Sequence, residues 1–124
     1  MPKTAIVVLS DPKGGEEALG RLFNALAAAR DFKAREQHVE ILFQGAGTRW
    51  TGVVTQPDHP AHALYESVED VVTGVSSACA DVFGARADAE RGGFALITTH
   101  AVPGTSGLPS LAKYVSDGYT VLTF

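Results

Sequence analysis

The chain has 124 residues, of which 45% are apolar, and its formal net charge is −4. This length and apolar content suffice for one shared core, so we expect a single domain over residues 1–124. The acidic balance leaves no basic excess to neutralise phosphates, which excludes a typical nucleic-acid-binding protein.

The chain contains one cysteine, Cys79. No intrachain disulfide can form, which excludes a secreted disulfide scaffold and favours a reducing, cytoplasmic location. The first strongly apolar run, at residues 5–9, is short and has neither a charged leader nor a cleavage site. We therefore expect neither export nor a membrane partner.

The first third of the chain predicts a strand, a helix and a second strand. The aliphatic run at residues 5–9 is typical of a strand buried in a parallel sheet. After a turn at residues 10–15, apolar residues recur with helical spacing from Leu19 to Ala27. A second apolar run at residues 39–43 ends at two glycines, which completes a strand–helix–strand order.

The next part of the chain is predicted to be mainly helical. Thr48 is suited to cap a short helix that ends before Pro57. Pro60 suits the first turn of a longer helix, whose apolar residues keep helical spacing as far as Val72. Gly74 would then provide the C-terminal cap.

Three more strands are predicted after this helix. A weak strand at residues 75–78 ends at Cys79, because the alternation of strands and helices requires a strand there. A frayed helical segment at residues 80–90 precedes a fourth strand at residues 94–97.

A long polar loop is predicted at residues 98–107. A last helix begins at Leu108 and Pro109 and is closed by Gly118. Residues 119–124 then form the final strand.

Five strands alternating with helices predict an α/β fold, a three-layer α/β/α sandwich with a mostly parallel five-stranded sheet. In such sheets, ligands bind in the crevice beyond the carboxyl ends of the strands. The loops at that edge contain the candidate ligand-binding residues, which are Asp11, Gly14, Gly15, Gly47, Thr48, His100 and Ser106.

Four stretches of the sequence share a recognisable pattern: SDPKGGEEAL at residues 10–19, FQGAGTRW at 43–50, HPAHALY at 59–65 and GYTVLTF at 118–124. Together they resemble the DsrE-like family of sulfur-relay proteins (DsrE/DsrF-like). The segment SACADVFG at residues 77–84 is similar to the one that carries a cysteine in many members.

This resemblance implies a DsrEFH-like fold and assembly into a homo-oligomer. We expect no cofactor. It also implies a sulfur carrier or sulfurtransferase-type protein that uses a cysteine persulfide at Cys79, with a sulfur donor or acceptor protein as partner. The alternative is a noncatalytic homo-oligomeric module for small-ligand binding or assembly, with a structural Cys79. Whether the protein is an enzyme stays open between the two.

The expected setting of Cys79 contains opposing influences. A thiol at a strand end that leads into a helix would meet unpaired N–H groups and the positive end of the helix dipole, which favour the thiolate. Asp81 and the apolar neighbours Ala78, Ala80 and Val82 would oppose ionisation. Residues 98–106 are expected to cover the thiol.

Other chemistry is less well supported by the sequence. The histidines His59, His62 and His100 could join Cys79 around zinc, but their spacing is nonspecific and His59 can simply cap a helix, so we expect no metal.

Two further alternatives concern an anion site and a hydrolase. Lys13, Gly14 and Gly15 could cradle a phosphate, although the two glutamates that follow would repel it. A hydrolase would need His100 to approach Ser10 or Ser106, and no nucleophile elbow supports that arrangement.

Overall fold

The computed structural model describes all 124 residues and contains one five-stranded sheet. The strands run in the order β4-β3-β2-β1-β5, and every neighbouring pair is parallel. They are β1 (Lys3–Val8), β2 (His38–Phe43), β3 (Val72–Ser76), β4 (Leu96–Ile97) and β5 (Thr120–Thr123).

One long helix and four short ones accompany the sheet. They are α1 (Gly15–Ala34), α2 (His62–Glu66), α3 (Ser77–Val82), α4 (Arg86–Arg91) and α5 (Leu111–Ser116). Single 3₁₀ segments cover Pro12–Gly14, Gly45–Gly52 and Glu69–Val71. No helix is both long enough and apolar enough to cross a bilayer.

The two faces of the sheet are covered by different helices. Ile6 and Val8 belong to a core of 18 buried residues that includes residues from α1, α2, α3 and α4. Side chains alternate along a strand, so Ala5 and Val7 face the other way, and both are also buried. α5 lies on that second face, and the hydroxyl of its Tyr114 donates a hydrogen bond to a side chain of β2. The predicted three-layer sandwich with a parallel five-stranded sheet is confirmed.

The helix predicted from Pro60 to Gly74 is wrong in its second half. α2 ends at Glu66, and after the 3₁₀ turn the chain enters β3 at Val72. Gly74 is a strand residue rather than a cap, and a Cβ there would lie 2.4 Å from the carbonyl oxygen of Ala95. Close approach of the next strand, not helix termination, explains this glycine.

The third strand was predicted too late in the sequence. β3 ends at Ser76, and Cys79 is the third residue of α3 rather than the end of the strand. Ser76 has an extended backbone and its hydroxyl accepts a 3.4 Å hydrogen bond from the N–H of Cys79. A serine in this position caps a helix, which is why α3 begins directly after the strand.

Two other boundaries also differ. Thr48 does not begin a helix, because it lies inside the 3₁₀ segment with its hydroxyl donating to the carbonyl of Gly45. The predicted frayed segment at 80–90 is two separate helices, α3 and α4, divided by Gly84 with φ 69°. Glycine adopts this left-handed conformation without strain, so the chain can turn there.

Candidate functional site

Cys79 lies at the carboxyl-terminal edge of the sheet, in the first turn of α3, and is partly exposed. Its neighbours Ala78 and Ala80 are buried at 5% and 0% exposure, so the helix rests on the core while the cysteine lies nearer the surface. Strand β3 and the cap by Ser76 fix the start of the helix. This arrangement holds the thiol at the edge where α/β proteins bind ligands.

A network of polar side chains, which we call the serine network, joins α3 to the loop after β4. Ser77 and Ser106 have their hydroxyl oxygens 2.7 Å apart, and Ser106 donates a 2.7 Å hydrogen bond to Asp81. Arg86 donates to the Ser77 hydroxyl at 3.3 Å and lies 3.5 Å from the Asp81 carboxylate. These contacts fix the loop against one side of α3.

The serine network does not lie on the cysteine side of the helix. Ser77 and Asp81 are four residues apart and share one side of α3, whereas Cys79 is two residues from each. At about 100° per residue, its side chain is rotated by about 200° from theirs. The expectation that the loop covers the thiol is therefore not met, since its polar contacts lie across the helix from Cys79.

The other side of α3 contacts the loops after β1 and β2. Arg49 donates from Nε to the carbonyl of Phe83 at 3.1 Å and from Nη1 to Asp11 at 2.8 Å. Its guanidinium also lies 5.3 Å from the centre of the Phe83 ring. Phe83 directly follows α3, so Arg49 contacts the carboxyl-terminal end of this helix.

The candidate glycines and Thr48 have mainly structural positions. A Cβ on Gly47 would lie 2.1 Å from the carbonyl oxygen of Val8, so this glycine lets the loop after β2 rest on the end of β1. Thr48 is completely buried and its hydroxyl bonds to the backbone. Gly14 precedes α1, and Gly15 begins it with φ 76°.

The possible phosphate cradle before α1 is occupied by the chain itself. The carboxylate of Asp11 accepts a 2.9 Å hydrogen bond from the N–H of Lys13. Its second oxygen pairs with Arg49. An N–H group that an anion would need is therefore already bonded to a carboxylate.

The histidines are spread over separate sites. The ring of His59 accepts a hydrogen bond from the N–H of Ala61 at 3.1 Å, and the ring of His62 contacts the carbonyl of Val54 at 2.8 Å. His100 pairs through its backbone with Leu108. Nowhere do three or more His, Cys, Asp or Glu side chains come together as a metal site.

Neither serine of the possible hydrolase is bonded to a histidine. Ser106 donates to Asp81, and the hydroxyl oxygen of Ser10 lies 3.3 Å from the indole nitrogen of Trp50. The indole N–H also donates to the Ser10 carbonyl at 2.8 Å. The histidine base of the expected hydrolase arrangement therefore contacts neither hydroxyl.

Sequence reasoning missed Arg49, Arg86 and Ser77 as parts of this edge. Ser77 followed four residues later by Asp81 was a usable signal, because residues so spaced share one side of a helix. The two arginines gave no comparable signal, since each reaches α3 only through the folded arrangement of separate segments.

The comparison with known families agrees with this fold. The sequence model of the DsrE/DsrF-like family matches residues 3–124. The chain therefore belongs to the DsrE/DsrF-like family, which confirms the resemblance found in the sequence. No curated protein gives a significant match.

Two solved structures share the fold. The conserved protein of unknown function BT1422 from Bacteroides thetaiotaomicron has a TM-score of 0.61 at 15% identity, covering 97% of this chain and 94% of that one. The ychN protein from E. coli has a TM-score of 0.59 at 20% identity, covering 100% of both chains. At these identities the likeness shows the fold alone.

Proposed function

We propose that the protein is a sulfur carrier of the DsrE type, in which Cys79 alternates between a thiol and a persulfide. The observation that carries the proposal is the partly exposed Cys79 in the first turn of α3, at the carboxyl-terminal edge of a parallel sheet. Membership of a sulfur-relay-type family supports the same chemistry. A reducing compartment such as the cytoplasm suits a carrier with one free thiol.

The transfer step exchanges one sulfur–sulfur bond for another. The Cys79 thiolate attacks the outer sulfur of a donor persulfide, a new S–S bond forms to Cys79, and the S–S bond of the donor breaks. The donor leaves as a thiolate, and the proton stays on the transferred sulfur. No net oxidation occurs, so the step needs no cofactor.

One feature of the surface would assist this exchange. Val82, one turn from Cys79, is 75% exposed and offers an apolar contact to a donor or acceptor protein. A homo-oligomer also belongs to the proposal, because the resemblance to the DsrE-like family implies one.

Intact-mass measurement tests the carrier proposal. After incubation with inorganic polysulfide and removal of excess reagent, the native protein should gain the mass of one sulfur atom, and dithiothreitol should remove it. Cys79→Ala should gain none, while Ser116→Ala, an exposed residue on α5, should behave as the native protein does. An unmodified native protein would overturn the proposal.

A second candidate is a noncatalytic module in which Cys79 is structural. The specific observation in its favour is that the N–H of Cys79 already donates to Ser76, so this helix-start group is not free to stabilise a thiolate. The rate of labelling by iodoacetamide at neutral pH separates the two candidates. A carrier thiol should react faster in the folded protein than in urea, whereas a structural one should react more slowly.

A further inference from the structure

A second polar cluster surrounds Glu40, the only acidic residue of β2. Its Oε1 accepts hydrogen bonds from the hydroxyls of Tyr114 at 2.7 Å and Thr73 at 2.9 Å. Its Oε2 accepts one from the hydroxyl of Tyr119 at 2.6 Å and lies 2.9 Å from Nε2 of His38. The four contacts fill the lone-pair positions of the carboxylate.

These contacts keep Glu40 ionised and the tyrosines protonated. Burial alone would raise the pKa of Glu40, but the hydrogen bonds from its four partners outweigh burial and lower the pKa to about 2. The hydrogen bond to Glu40 is the main cause that raises the pKa of Tyr119 to about 12. Burial and the same carboxylate raise the pKa of Tyr114. Each phenol therefore directs its proton towards Glu40 at neutral pH.

All members of the cluster except His38 line an open groove of about 370 Å³ on the second face of the sheet. This volume lies at the lower end of the range for small-molecule sites. Ile97 and Pro109 supply an apolar wall, and α5 forms the opposite side. A ligand with a short hydrocarbon chain and one polar end fits this arrangement of apolar and polar lining residues.

The charges that line the groove favour a cation. Glu40 and Asp117 are the carboxylates of the lining and Lys113 is its only cationic side chain, so the lining carries a net charge of −1; the ammonium of Lys3, which is not part of the lining, lies beside Tyr119. Lys113 is not free, because its ammonium lies 2.7 Å from the Asp117 carboxylate. Both tyrosine hydroxyls donate their protons to Glu40. The tyrosines can therefore offer a ligand only the lone pairs of their hydroxyl oxygens and the faces of their rings.

The chain already provides an example of a cation held at this cluster. The ammonium of Lys3 lies 5.0 Å from the ring centre of Tyr119. A cation within about 6 Å of an aromatic ring is attracted by its electron-rich face. Tyr114 meets Tyr119 edge to face, with their ring centres 4.9 Å apart. Hydrogen bonding to a carboxylate makes both rings still better partners for a cation.

We propose that this groove is a binding site for a small organic cation, an alkylammonium or alkylguanidinium whose carbon chain lies along Ile97 and Pro109. The site is separate from Cys79 and does not depend on sulfur transfer. The second carboxylate oxygen of Asp117, which Lys113 does not contact, and the tyrosine oxygens receive the N–H groups of the cation, and the negative charge of the ionised Glu40 attracts it.

The test is a titration of the ¹⁵N-labelled protein with n-butylammonium, followed by backbone amide shifts. Saturable shifts confined to residues around the groove and α5 are expected, with a dissociation constant in the millimolar range. Butyrate and n-butanol, which have the same carbon chain with negative charge or none, should give no saturable shifts at equal concentration. Equal binding of all three compounds, or no saturable shift with n-butylammonium, would overturn the proposal.

Two substitutions on the exposed side of α5 should move the affinity in opposite directions. Lys113→Gln makes the lining more negative and should tighten n-butylammonium binding, whereas Asp117→Asn should weaken it. We expect about a tenfold change in each case, which corresponds to about 1.4 kcal/mol. Glu90→Gln removes an exposed carboxylate from α4 and should leave the affinity unchanged. The same direction of change in both α5 variants would contradict the site.

Discussion

Tyr119 donates its hydrogen bond to Glu40 across an intervening strand. Tyr119 precedes β5 and Glu40 belongs to β2, and β1 lies between these strands. In β1, Ala5 is the residue in register with Glu40 and is completely buried. Neighbouring strands are about 4.8 Å apart, so the Tyr119 side chain must reach across two inter-strand distances to Glu40. It passes over Ala5, whose small side chain leaves room for it.

Enlarging that residue should disturb the cluster. Ala5→Val adds two methyl groups beneath the path from Tyr119 to Glu40, and we expect a loss of about 1–3 kcal/mol in the free energy of unfolding, measured in urea. Ala87→Val makes the same change at an exposed position of α4 and should cost about 0.5 kcal/mol or less. Equal losses in the two variants would show that Ala5 has no special steric role.

Glu40 should make the stability of the protein depend on pH in an acidic window. Its folded pKa of about 2 lies below the ordinary value of 4.5, so the native state favours the carboxylate. The stabilisation is fully present above about pH 4.5 and is lost as the pH falls towards 2. Its size is about 2 kcal/mol, allowing for partial exposure of the side chain.

Glu40→Gln should remove the pH-dependent part of the unfolding free energy that the ionised Glu40 contributes. The difference in unfolding free energy between the native protein and the variant should shrink between pH 4.5 and pH 2. Urea unfolding at a series of pH values measures it. Glu90→Gln should give a difference that stays near zero throughout, and a pH-independent difference for Glu40→Gln would refute the assignment.

The serine network should hold the loop after β4 against α3. Ser106→Ala removes the contacts to Ser77 and Asp81, and the N–H of Ala78, which donates to the carbonyl of Gly107 at 2.8 Å, reports on the loop. A lost hydrogen bond of about 1 kcal/mol should speed hydrogen exchange at that amide roughly fivefold. Ser116→Ala is the control, and an unchanged rate in Ser106→Ala would show that the network does not hold the loop.

Two glycines should respond to alanine with opposite signs. A Cβ at Gly47 would lie 2.1 Å from the carbonyl oxygen of Val8, so Gly47→Ala must displace backbone and should destabilise by more than about 2 kcal/mol. Gly20 lies inside α1 with open space around it, so Gly20→Ala should stabilise by about 0.5–1 kcal/mol. Thermal unfolding distinguishes them, and a stabilising Gly47→Ala would contradict the close approach.

The sequence was most informative where one local signal dominated. The aliphatic run of β1 and the helical spacing from Leu19 to Ala27 predicted both elements, although α1 extends beyond that spacing at both ends, from Gly15 to Ala34. Between Pro60 and Cys79 two signals conflicted, because Val68 and Val72 also fit a helical spacing. Pairing with β2 and the approach of Ala95 to Gly74 decided the outcome, and neither is visible in a local pattern.

Glu40 shows why the second cluster was not predicted. In the sequence it is an interruption of an apolar strand, whereas in the structure it binds side chains 33, 74 and 79 residues away. A charged residue in the middle of a buried strand was itself a signal that a partner must exist. The identity of the partners depended on where α5 and β5 lie, which only the fold supplies.

The segment between β4 and α5 contacts both α3 and the groove. Ser106 attaches it to α3, the helix that carries Cys79, and Pro109 forms a wall of the groove. If a ligand in the groove shifts the equilibrium of this segment, the state of α3 must alter ligand affinity by the same factor, because such coupling is reciprocal. The thiol and the groove would then be thermodynamically linked although they share no atom.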